Sequence, residues 1–591
     1  MPEFHSHNIQ PHPYPSDHTV PQFLLDEATH PLRASRLPGS RWLIDDATGR
    51  AYGLDEIRER VERIARAVKA RWGVGPGDTV CLCSENHIDY PIVIWAMHRL
   101  GCTVSPANPS YTAGELEYQL KESRSKLLFT SASSLPVALA AMIQAQQFGP
   151  NEVIVFSPPA PAPTKSEGCF PAILPRDGNL PTIYDLVQQG WRLCKNYAEP
   201  HGPNIGNNVA FLGFSSGTTG LPKAVAITHR SVISVMMELA AHTRNNDITL
   251  PEKHRWIRPG DVGLAVLPFY HIYGLIGILH ALLFNGCGVV VMPQFNPQTF
   301  LETIAKHRIT HLPVVPPIVV FLVNHPSIKN YDLSSLHYVV SSAAPLSKEL
   351  AHRLRALIPS AHVGQGYGLT EATTLISVFE LSKDPVDGSV GTLAPDTVAR
   401  IIKPDGQMAD YGESGELWIK GPQVALGYAN NKKATEQTFV TGGWLRTGDE
   451  AYMTKEGNLY IVDRLKELIK VSGFQVAPAE LEGHLLNHPS VRDAAIIGIL
   501  HERKGEVPLA FVVLKSAVAK RAASGAEAQV IKQELRKWVS DNKVRYKRLE
   551  GGIEFVDVIP KNASGKILRR ILKERAKARD MGKDAKVQAR L

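Results

Sequence analysis

The sequence predicts an α/β protein, with a large N-terminal domain of layered α/β subdomains and a small α+β C-terminal domain. Three observations predict this fold class. Helical segments alternate with short apolar runs, several runs end at prolines, and a separate set of strand-like and helical segments follows residue 463. Alternating helices and buried strands are typical of layered α/β folds. A chain of 591 residues can bury a large core in such layers.

Residues 55–72 predict the first helix, because Ile57, Val61 and Val68 recur at helical spacing. The later runs VGLAVLP, GVVVMP and THLPVVPP are short, apolar and end at proline. Such runs are typical of buried parallel strands. Residues 157–181 are rich in proline and predict a surface excursion, because proline cannot pair inside a sheet.

A domain boundary is predicted at residues 463–466, where a strand-like YIV gives way to DRLK. Beyond it, AAIIGIL and LAFVVLK predict strands, and VIKQELRKWVSD predicts a helix. The predicted division is an N-terminal extension at 1–25, a main domain at 26–463, a C-terminal lid domain at 464–575 and a basic tail at 576–591.

Composition excludes several classes of protein. The chain is 44% hydrophobic and 21% charged, unlike collagen-like, disordered or multi-span membrane proteins. Its net charge of +8 suggests a nucleic-acid partner, but residues 561–591 hold eleven basic and three acidic residues, which account for the whole excess. Nucleic-acid binding is therefore not expected. Neither a secretory leader nor a membrane span is predicted. The six cysteines form no CxxC pair, which favours reduced intracellular thiols.

Residues 211–223, FLGFSSGTTGLPK, predict a phosphate-binding loop after a strand. Small residues let backbone N–H groups close around a phosphate, hydroxyls add donors, and lysine adds a mobile positive charge. A serine- and glycine-rich surface turn is the alternative. The loop is not a P-loop, because Lys223 follows Pro222 and precedes alanine. The residues predicted to bind phosphate here are Ser215, Ser216, Gly217, Thr218, Thr219, Gly220 and Lys223, and the resemblance given below makes them part of an ATP site.

Seven motifs occur in the order typical of adenylate-forming enzymes, and together the chain resembles an acyl-CoA synthetase of the 4-coumarate-CoA ligase and luciferase branch. The motifs are SSGTTGLPKAV at 215–225, LPFYHIYG at 267–274, GQGYGLTE at 364–371, GELWIKG at 415–421, WLRTGD at 444–449, DRLKELIKVSGFQVAPAELE at 463–482 and PKNASGKILRR at 560–570. The resemblance covers about residues 25 to 575 and makes residues 26–463 the AMP-binding, or adenylation, domain.

The resemblance implies a reaction in two halves. A carboxylate attacks the α-phosphate of ATP to give acyl-AMP and pyrophosphate, and a thiol then displaces AMP. ATP, Mg²⁺ and CoA are the implied co-substrates, together with a small-molecule carboxylic acid. A luciferase-like or acyl-AMP-only enzyme that does not use CoA is the alternative. A nucleic-acid binder and a non-catalytic relic are disfavoured, the latter because the acidic and basic motif residues are present.

The resemblance assigns roles in the first half-reaction. Lys566 matches the catalytic lysine. Tyr367 matches the adenine-stacking residue, Thr370 the α-phosphate contact and Glu371 the Mg²⁺ ligand, although Thr and Glu there could also cap a helix. Further ATP-binding residues are predicted at Ala344, Gln365, Gly366, Gly368, Leu369, Asp449 and Arg464, of which Asp449 and Arg464 would bind the ribose.

The resemblance also assigns residues to acyl binding and to the second half-reaction. His271 is the implied gate between acyl group and thiol, and Tyr273, Gly277, Ser342 and Thr374 would bind the acyl group. The lid domain is expected to rotate about Lys466. The residues it would then present are the catalytic Lys470 and Gln475 and the CoA-binding Ser472, Gly473 and Phe474.

Some residues depart from the plant 4-coumarate-CoA ligase pattern. Ser342 replaces a glycine, Thr373 and Thr374 replace Gly-Pro, and Asn324 lies where those enzymes carry a lysine near the phenol end of the substrate. These changes add polar bulk and remove a positive charge. The predicted substrate is therefore broader, an aromatic, phenylpropanoid-like or medium-chain acid.

The last three residues, Ala589, Arg590 and Leu591, fit a variant of the SKL peroxisomal address. A peroxisomal location and an import-receptor partner are therefore expected, and the cytoplasm is the alternative.

Overall fold

The computed structural model describes residues 3–7, 12–27, 29–156, 180–215, 221–244, 247, 249–251, 255–381, 383–472, 474–501, 503–562 and 565–588. The predicted Pro-rich excursion lies mostly outside these residues, and so do Gly473 and the C-terminal tripeptide Ala589, Arg590 and Leu591. No helix within the described ranges is long and apolar enough to cross a membrane.

Two large sheets form the body of the N-terminal domain. The first has nine strands, in the spatial order Thr392–Leu393, Ser377–Val378, His362–Tyr367, Tyr338–Ser341, His311–Val314, Val262–Ala265, Gly288–Val291, Leu43–Asp45 and Ala51–Tyr52. The second has seven strands, in the order Gly427–Tyr428, Lys223–Thr228, Val209–Ser215, Thr103–Ala107, Thr79–Cys83, Ser125–Ser131 and Val153–Phe156. Central strands in both sheets pair in parallel, which confirms the strands predicted in VGLAVLP, GVVVMP and THLPVVPP.

Two smaller sheets complete the fold. A six-stranded antiparallel sheet contains Phe4–His5, Val398–Ile402, Gly415–Lys420, Trp444–Met453, Phe439–Val440 and Leu459–Arg464. A five-stranded sheet forms the C-terminal domain from Phe474–Val476, Ile469–Val471, Gly505–Leu514, Val491–His501 and Gly552–Phe555. A separate apolar core covers each face of this last sheet. Layered α/β architecture with a smaller C-terminal domain is therefore confirmed.

Helices cover the sheets, and the first agrees with the helix predicted at 55–72. The α-helices are Leu54–Trp72, Tyr90–Arg99, Ala113–Ser123, Leu135–Ala145, Ile183–Trp191, His229–His242, Ala281–Phe284, Pro297–His307, Pro316–Asn324, Lys348–Leu357, Lys432–Thr438, Pro478–Leu486, Ser516–Ala522, Gly525–Asn542 and Arg569–Gln588. Gln22–Asp26 and Tyr273–His280 are π-helical, and Pro150–Glu152, Ile205–Asn207, Pro326–Asn330, Thr370–Ala372 and Arg545–Lys547 are 3₁₀ turns.

Segments near the start and the end of the described residues join the fold. Phe4–His5 pairs with the strand Val398–Ile402, and Phe23 is fully buried in the main core. Residues 3–7 and 12–25 of the segment predicted as an N-terminal extension at 1–25 thus pack on the domain, because their apolar side chains gain burial there. Helix Arg569–Gln588 runs across residue 575, where the basic tail was predicted to begin.

Candidate active site

The predicted phosphate loop joins two antiparallel strands of the seven-stranded sheet. Residues 216–220 lie outside the described part of the chain, but Ser215 and Lys223 are register partners at its two ends. The pairing fixes a serine hydroxyl and a lysine ammonium on either side of the loop. The predicted contacts of Ser216, Gly217, Thr218, Thr219 and Gly220 with phosphate stay predictions.

Glu371 lies beside this loop on the 3₁₀ turn Thr370–Ala372. Its Oε1 accepts a hydrogen bond of 3.0 Å from the Ser215 hydroxyl and one of 2.8 Å from the Tyr428 hydroxyl. The Lys223 ammonium lies 4.8 Å from the centre of the Tyr428 ring. Tyr428 therefore contacts both the Glu371 carboxylate and the Lys223 ammonium.

The adenine-side segments predicted from the sequence come together. Gln365 holds the loop that carries Ala344: its side-chain oxygen accepts from the Leu346 N–H at 2.9 Å, and its amide donates to the Ser389 carbonyl at 3.3 Å. No residue other than glycine fits at position 368, because a Cβ atom on Gly368 would lie 1.4 Å from the Thr374 carbonyl oxygen. Glycine is thus required for the turn that carries Leu369 and Thr370 past the acyl site.

The two residues predicted to bind the ribose lie opposite each other on neighbouring antiparallel strands. Asp449 and Arg464 are register partners, with Nε of Arg464 3.5 Å from Oδ1 of Asp449. The Tyr367 hydroxyl donates to Oδ2 of the same carboxylate at 2.6 Å. Burial raises the pKa of Asp449, and the Arg464 charge and the Tyr367 hydrogen bond oppose that rise.

Lys566 enters this site from the C-terminal domain. It follows Gly565, whose φ is 78°, and a Cβ on that glycine would lie 2.9 Å from Pro317 of the N-terminal domain. The Lys566 N–H donates to Oδ1 of Asn562 at 2.9 Å, which closes the turn. Burial, together with the positive charge of Arg464, lowers the pKa of Lys566 to about 8. The nearby charges of Glu467, Asp449 and Glu371 oppose that shift.

An apolar cavity of about 60 Å³ extends from the nucleotide strand into the domain. All four predicted acyl-binding residues, Tyr273, Gly277, Ser342 and Thr374, line it, as do Gly366 and Tyr367 of the predicted nucleotide strand. The remaining lining residues are Val235, Leu239, Trp256, Leu282, Pro313, Tyr338, Val340, Leu375, Ser377 and Val378.

His271 and Asn324 differ in how they relate to this site. Burial and the positive charge of Lys566 lower the pKa of His271 to about 4, so the ring is neutral and near the lysine. Asn324, expected at the far end of the acyl pocket, is instead exposed at the end of helix Pro316–Asn324, where its oxygen accepts from Arg353 at 2.8 Å. It lies outside the cavity because the last turn of that helix faces solvent.

The residues predicted for the second half-reaction lie on an exposed hairpin of the C-terminal domain. Lys470 and Gln475 are register partners, Ser472 is at its turn, and Phe474 stacks on Tyr546 with ring centres 4.5 Å apart. Lys466 is exposed in the turn between the last strand of the six-stranded sheet and the first strand of the C-terminal sheet. The structure therefore places Lys566 in the site and leaves the hairpin at the surface.

Sequence reasoning missed Tyr428 and Arg569. Tyr428 follows the GELWIKG motif by only a few residues, and its glycine-tyrosine pair was the available signal. Arg569, three residues after Lys566, donates to Oε2 of Glu467 at 2.8 Å and also binds Glu482. It ties the helix that follows the Lys566 motif to the inter-domain turn.

Comparison with known proteins agrees with this geometry. Residues 32–429 match the family described as AMP-binding enzyme, and residues 480–566 match the AMP-binding enzyme C-terminal domain. The chain is 37% identical to 4-coumarate–CoA ligase 2 of Oryza sativa subsp. japonica, over 92% of this chain and 91% of that protein. It is 36% identical to 4-coumarate–CoA ligase of Pinus taeda, over 91% and 92% of the two chains.

A solved anthranilate CoA ligase in complex with anthranoyl-AMP shares the fold. Its TM-score is 0.78 at 23% identity, and the match covers 96% of this chain and 99% of that one. Fold and site together define an enzyme that activates a carboxylate with a nucleotide. The chain belongs to the AMP-binding enzyme family, and the predicted class of AMP-forming acyl-CoA ligase is confirmed.

Proposed function

We propose that this protein joins CoA to a neutral carboxylic acid with a largely apolar body, through an acyl-AMP intermediate made from ATP. One observation carries the choice of acid: among the described residues that line the cavity, none has a charged side chain. A second carboxylate or an ammonium group on the acid would be desolvated there without a partner, which is costly. Aromatic, phenylpropanoid-like and medium-chain acids all meet this requirement.

The first half-reaction brings two anions together. A carboxylate oxygen attacks the α-phosphorus, and the bond to the bridging oxygen of pyrophosphate breaks. Lys566 and Lys223 offer positive charge for the phosphates and the attacking carboxylate. Neutral His271 and the apolar cavity exclude water from the mixed anhydride. In the second half, the CoA sulfur attacks the acyl carbon, the thiol proton is lost, and AMP leaves with its oxygen.

Glu371 fits the role of a Mg²⁺ ligand. Its carboxylate oxygen already accepts two hydroxyl hydrogen bonds next to the phosphate loop, and oxygen ligands suit this ion. Bound Mg²⁺ would supply further neutralisation of phosphate charge. The hydrogen bonds from Ser215 and Tyr428 orient the carboxylate for that purpose.

The exposed hairpin supports a second arrangement of the C-terminal domain for thioester formation. Lys566 and the hairpin residues Lys470 and Gln475 do not share the site in this arrangement, so rotation at Lys466 would exchange them. Lys466→Pro is expected to spare acyl-AMP formation and to slow thioester release. Equal loss of both half-reactions would contradict the rotation.

The function is tested by incubating the purified protein with ATP, Mg²⁺, CoA and matched acids. The panel contains aryl acids, medium-chain acids and their dicarboxylate or aminoalkyl analogues, and AMP and thioester are followed by mass spectrometry. Neutral acids should give both products, whereas charged analogues should give neither. Acyl-AMP without thioester would favour the luciferase-like alternative, and preferential use of charged acids would contradict the proposed acid class.

Localisation stays a prediction, since the C-terminal tripeptide lies outside the described residues. Fusing a fluorescent protein before or after the chain tests it. Peroxisomal fluorescence from the first fusion and cytosolic fluorescence from the second are expected, and identical localisation of the two would contradict the address.

A further inference from the structure

Trp256 and Tyr338 both line the apolar cavity and contact each other. Their ring centres are 5.7 Å apart in an edge-on arrangement, and 1% of the Trp256 surface and 4% of the Tyr338 surface are exposed. They come from separate segments: Tyr338 begins a central strand of the nine-stranded sheet, and Trp256 lies in the loop before the strand Val262–Ala265. The pair therefore forms one continuous part of the cavity wall.

Each side chain of this pair has a polar group without a partner. The Trp256 Nε1–H is buried and has no hydrogen-bond acceptor among the described residues. The Tyr338 hydroxyl likewise forms no hydrogen bond within the described part of the chain. Buried polar groups are normally paired, and an unpaired donor destabilises the fold. The cavity that both rings line is the space in which a ligand could supply the missing partner.

The other two tyrosines of the cavity do not share this property. The Tyr273 hydroxyl donates to the Val340 carbonyl at 3.3 Å, and the Tyr367 hydroxyl donates to Asp449. Tyr338 is thus the tyrosine of the cavity wall whose hydroxyl is left for a ligand.

Strand geometry places the pair at the far end of the cavity. Tyr338, Val340 and Ser342 alternate along one strand and its extension, and all three line the cavity. Side chains two residues apart point to the same face of a strand, and each residue adds about 3.3 Å, so roughly 13 Å of chain separates Tyr338 from Ser342. Since Ser342 adjoins the nucleotide strand, where the carboxylate must react, Tyr338 lies at the opposite end of the acid.

Two buried histidines hold Trp256 in place. Nε2 of His311 donates to the Trp256 carbonyl at 2.8 Å, and Nε2 of His337 donates to the same oxygen at 3.2 Å. The His311 ring also lies edge-on to the indole, with centres 5.6 Å apart. Two donors on one carbonyl fix the backbone from which the indole projects, so the site is preorganised.

We propose that Trp256 and Tyr338 form a polar subsite at the far end of the acyl cavity, which binds a hydrogen-bond acceptor on the substrate, such as an ether, carbonyl or hydroxyl oxygen. This inference rests on the proposed function, because it places a carboxylic acid in the cavity. An indole N–H can only donate, whereas a phenol can donate or accept. An oxygen that carries no hydrogen therefore satisfies the subsite as well as a hydroxyl does.

The test compares two acids of similar size, 4-methoxycinnamic acid and 4-ethylcinnamic acid, which differ in the acceptor oxygen. The wild-type enzyme is expected to prefer the methoxy acid by about tenfold in kcat/KM, because a site built for hydrogen bonding discriminates against a ligand that leaves its groups unpaired. Tyr338→Phe keeps the ring and should lower kcat/KM about tenfold for the methoxy acid, with little change for the ethyl acid.

Tyr452→Phe is the matched control, because this tyrosine lies outside the cavity and the change should leave the use of both acids unaltered. Equal use of the two acids by the wild type, or an equal effect of Tyr338→Phe on both, would overturn the subsite while leaving the proposed function intact. Absence of AMP and thioester with every neutral acid would instead overturn the proposed function. If Tyr338→Phe lowers expression, binding of both acids to the wild-type enzyme is measured by calorimetry with AMP in place of ATP, and tighter binding of the methoxy acid is expected.

Discussion

The Tyr428 hydroxyl donates a hydrogen bond of 2.8 Å to Oε1 of Glu371. The strand Gly427–Tyr428 pairs with Lys223–Thr228, so the sheet that carries the phosphate loop also carries this tyrosine. Burial and the neighbouring Glu371 carboxylate raise the pKa of Tyr428, so the phenol stays protonated and acts as the donor. Tyr428 thus orients the Glu371 carboxylate through its hydroxyl, while its ring contacts the Lys223 ammonium.

Tyr428→Phe should weaken the binding of Mg²⁺ beside Glu371. The variant keeps the ring contact with Lys223 and loses only the hydrogen bond to Glu371. Loss of a group that orients a metal ligand typically costs 10–100-fold in affinity, so about tenfold more Mg²⁺ should be needed for half-maximal pyrophosphate exchange. Titration of Mg²⁺ at fixed ATP measures this. Tyr452→Phe, a change outside the site, should leave the titration unchanged, and an unchanged curve for Tyr428→Phe would rule out the orienting role.

Lys566 should give the first half-reaction an alkaline limit. Its pKa is about 8, lowered by burial and by Arg464, so the ammonium is present below that pH and is lost above it. Acyl-AMP formation should therefore fall as pH rises through about 8.

Lys566→Ala should reduce pyrophosphate exchange by at least about 10²-fold, yet spare conversion of supplied acyl-AMP to thioester. The exposed Lys573→Ala is the control. Wild-type exchange by Lys566→Ala would remove the lysine from the mechanism.

Much of this site could be predicted from local sequence. The phosphate loop, the Thr370–Glu371 turn and the Lys566 turn each lie within a short motif, and the strand before the phosphate loop, Val209–Ser215, is an apolar run. What escaped prediction depends on distant pairing. Tyr428 meets Glu371 only because two strands far apart in sequence become neighbours. The depth of a side chain in a pocket is equally a tertiary property, and for that reason Asn324 was placed in the acyl site when its helix end faces solvent.

Buried histidines should make the fold sensitive to acid. Burial lowers the pKa of His229 to about 3 and of His280 to about 4, below the ordinary value of 6.5. Below pH 6.5 the unfolded chain binds protons that the folded chain does not, so stability falls as pH drops towards the folded pKa values. Each such histidine should remove about 1.4 kcal/mol between pH 7.5 and 5.5.

His229→Gln tests this contribution, because Nδ1 of His229 accepts from the Val20 N–H at 3.1 Å and glutamine offers an acceptor without a titratable ring. Urea unfolding at the two pH values should show a smaller acid loss in the variant than in the wild type. The exposed His501→Gln should behave as the wild type. An identical pH dependence for all three proteins would contradict the prediction.

Arg569 should hold the catalytic lysine motif on the C-terminal domain. It pairs with Glu467 and Glu482 and donates to the Ile496 carbonyl at 3.0 Å, and its side chain is only 11% exposed. Arg569→Met would leave two largely buried carboxylates without their cation, a change that typically costs about 3–5 kcal/mol. The next residue, Arg570, is exposed, so Arg570→Met should cost less than about 1 kcal/mol. Urea unfolding followed by hydrogen exchange in the helix Gly525–Asn542 reports on the C-terminal domain. Equal stability of the two variants would show that the buried cluster does not hold the motif.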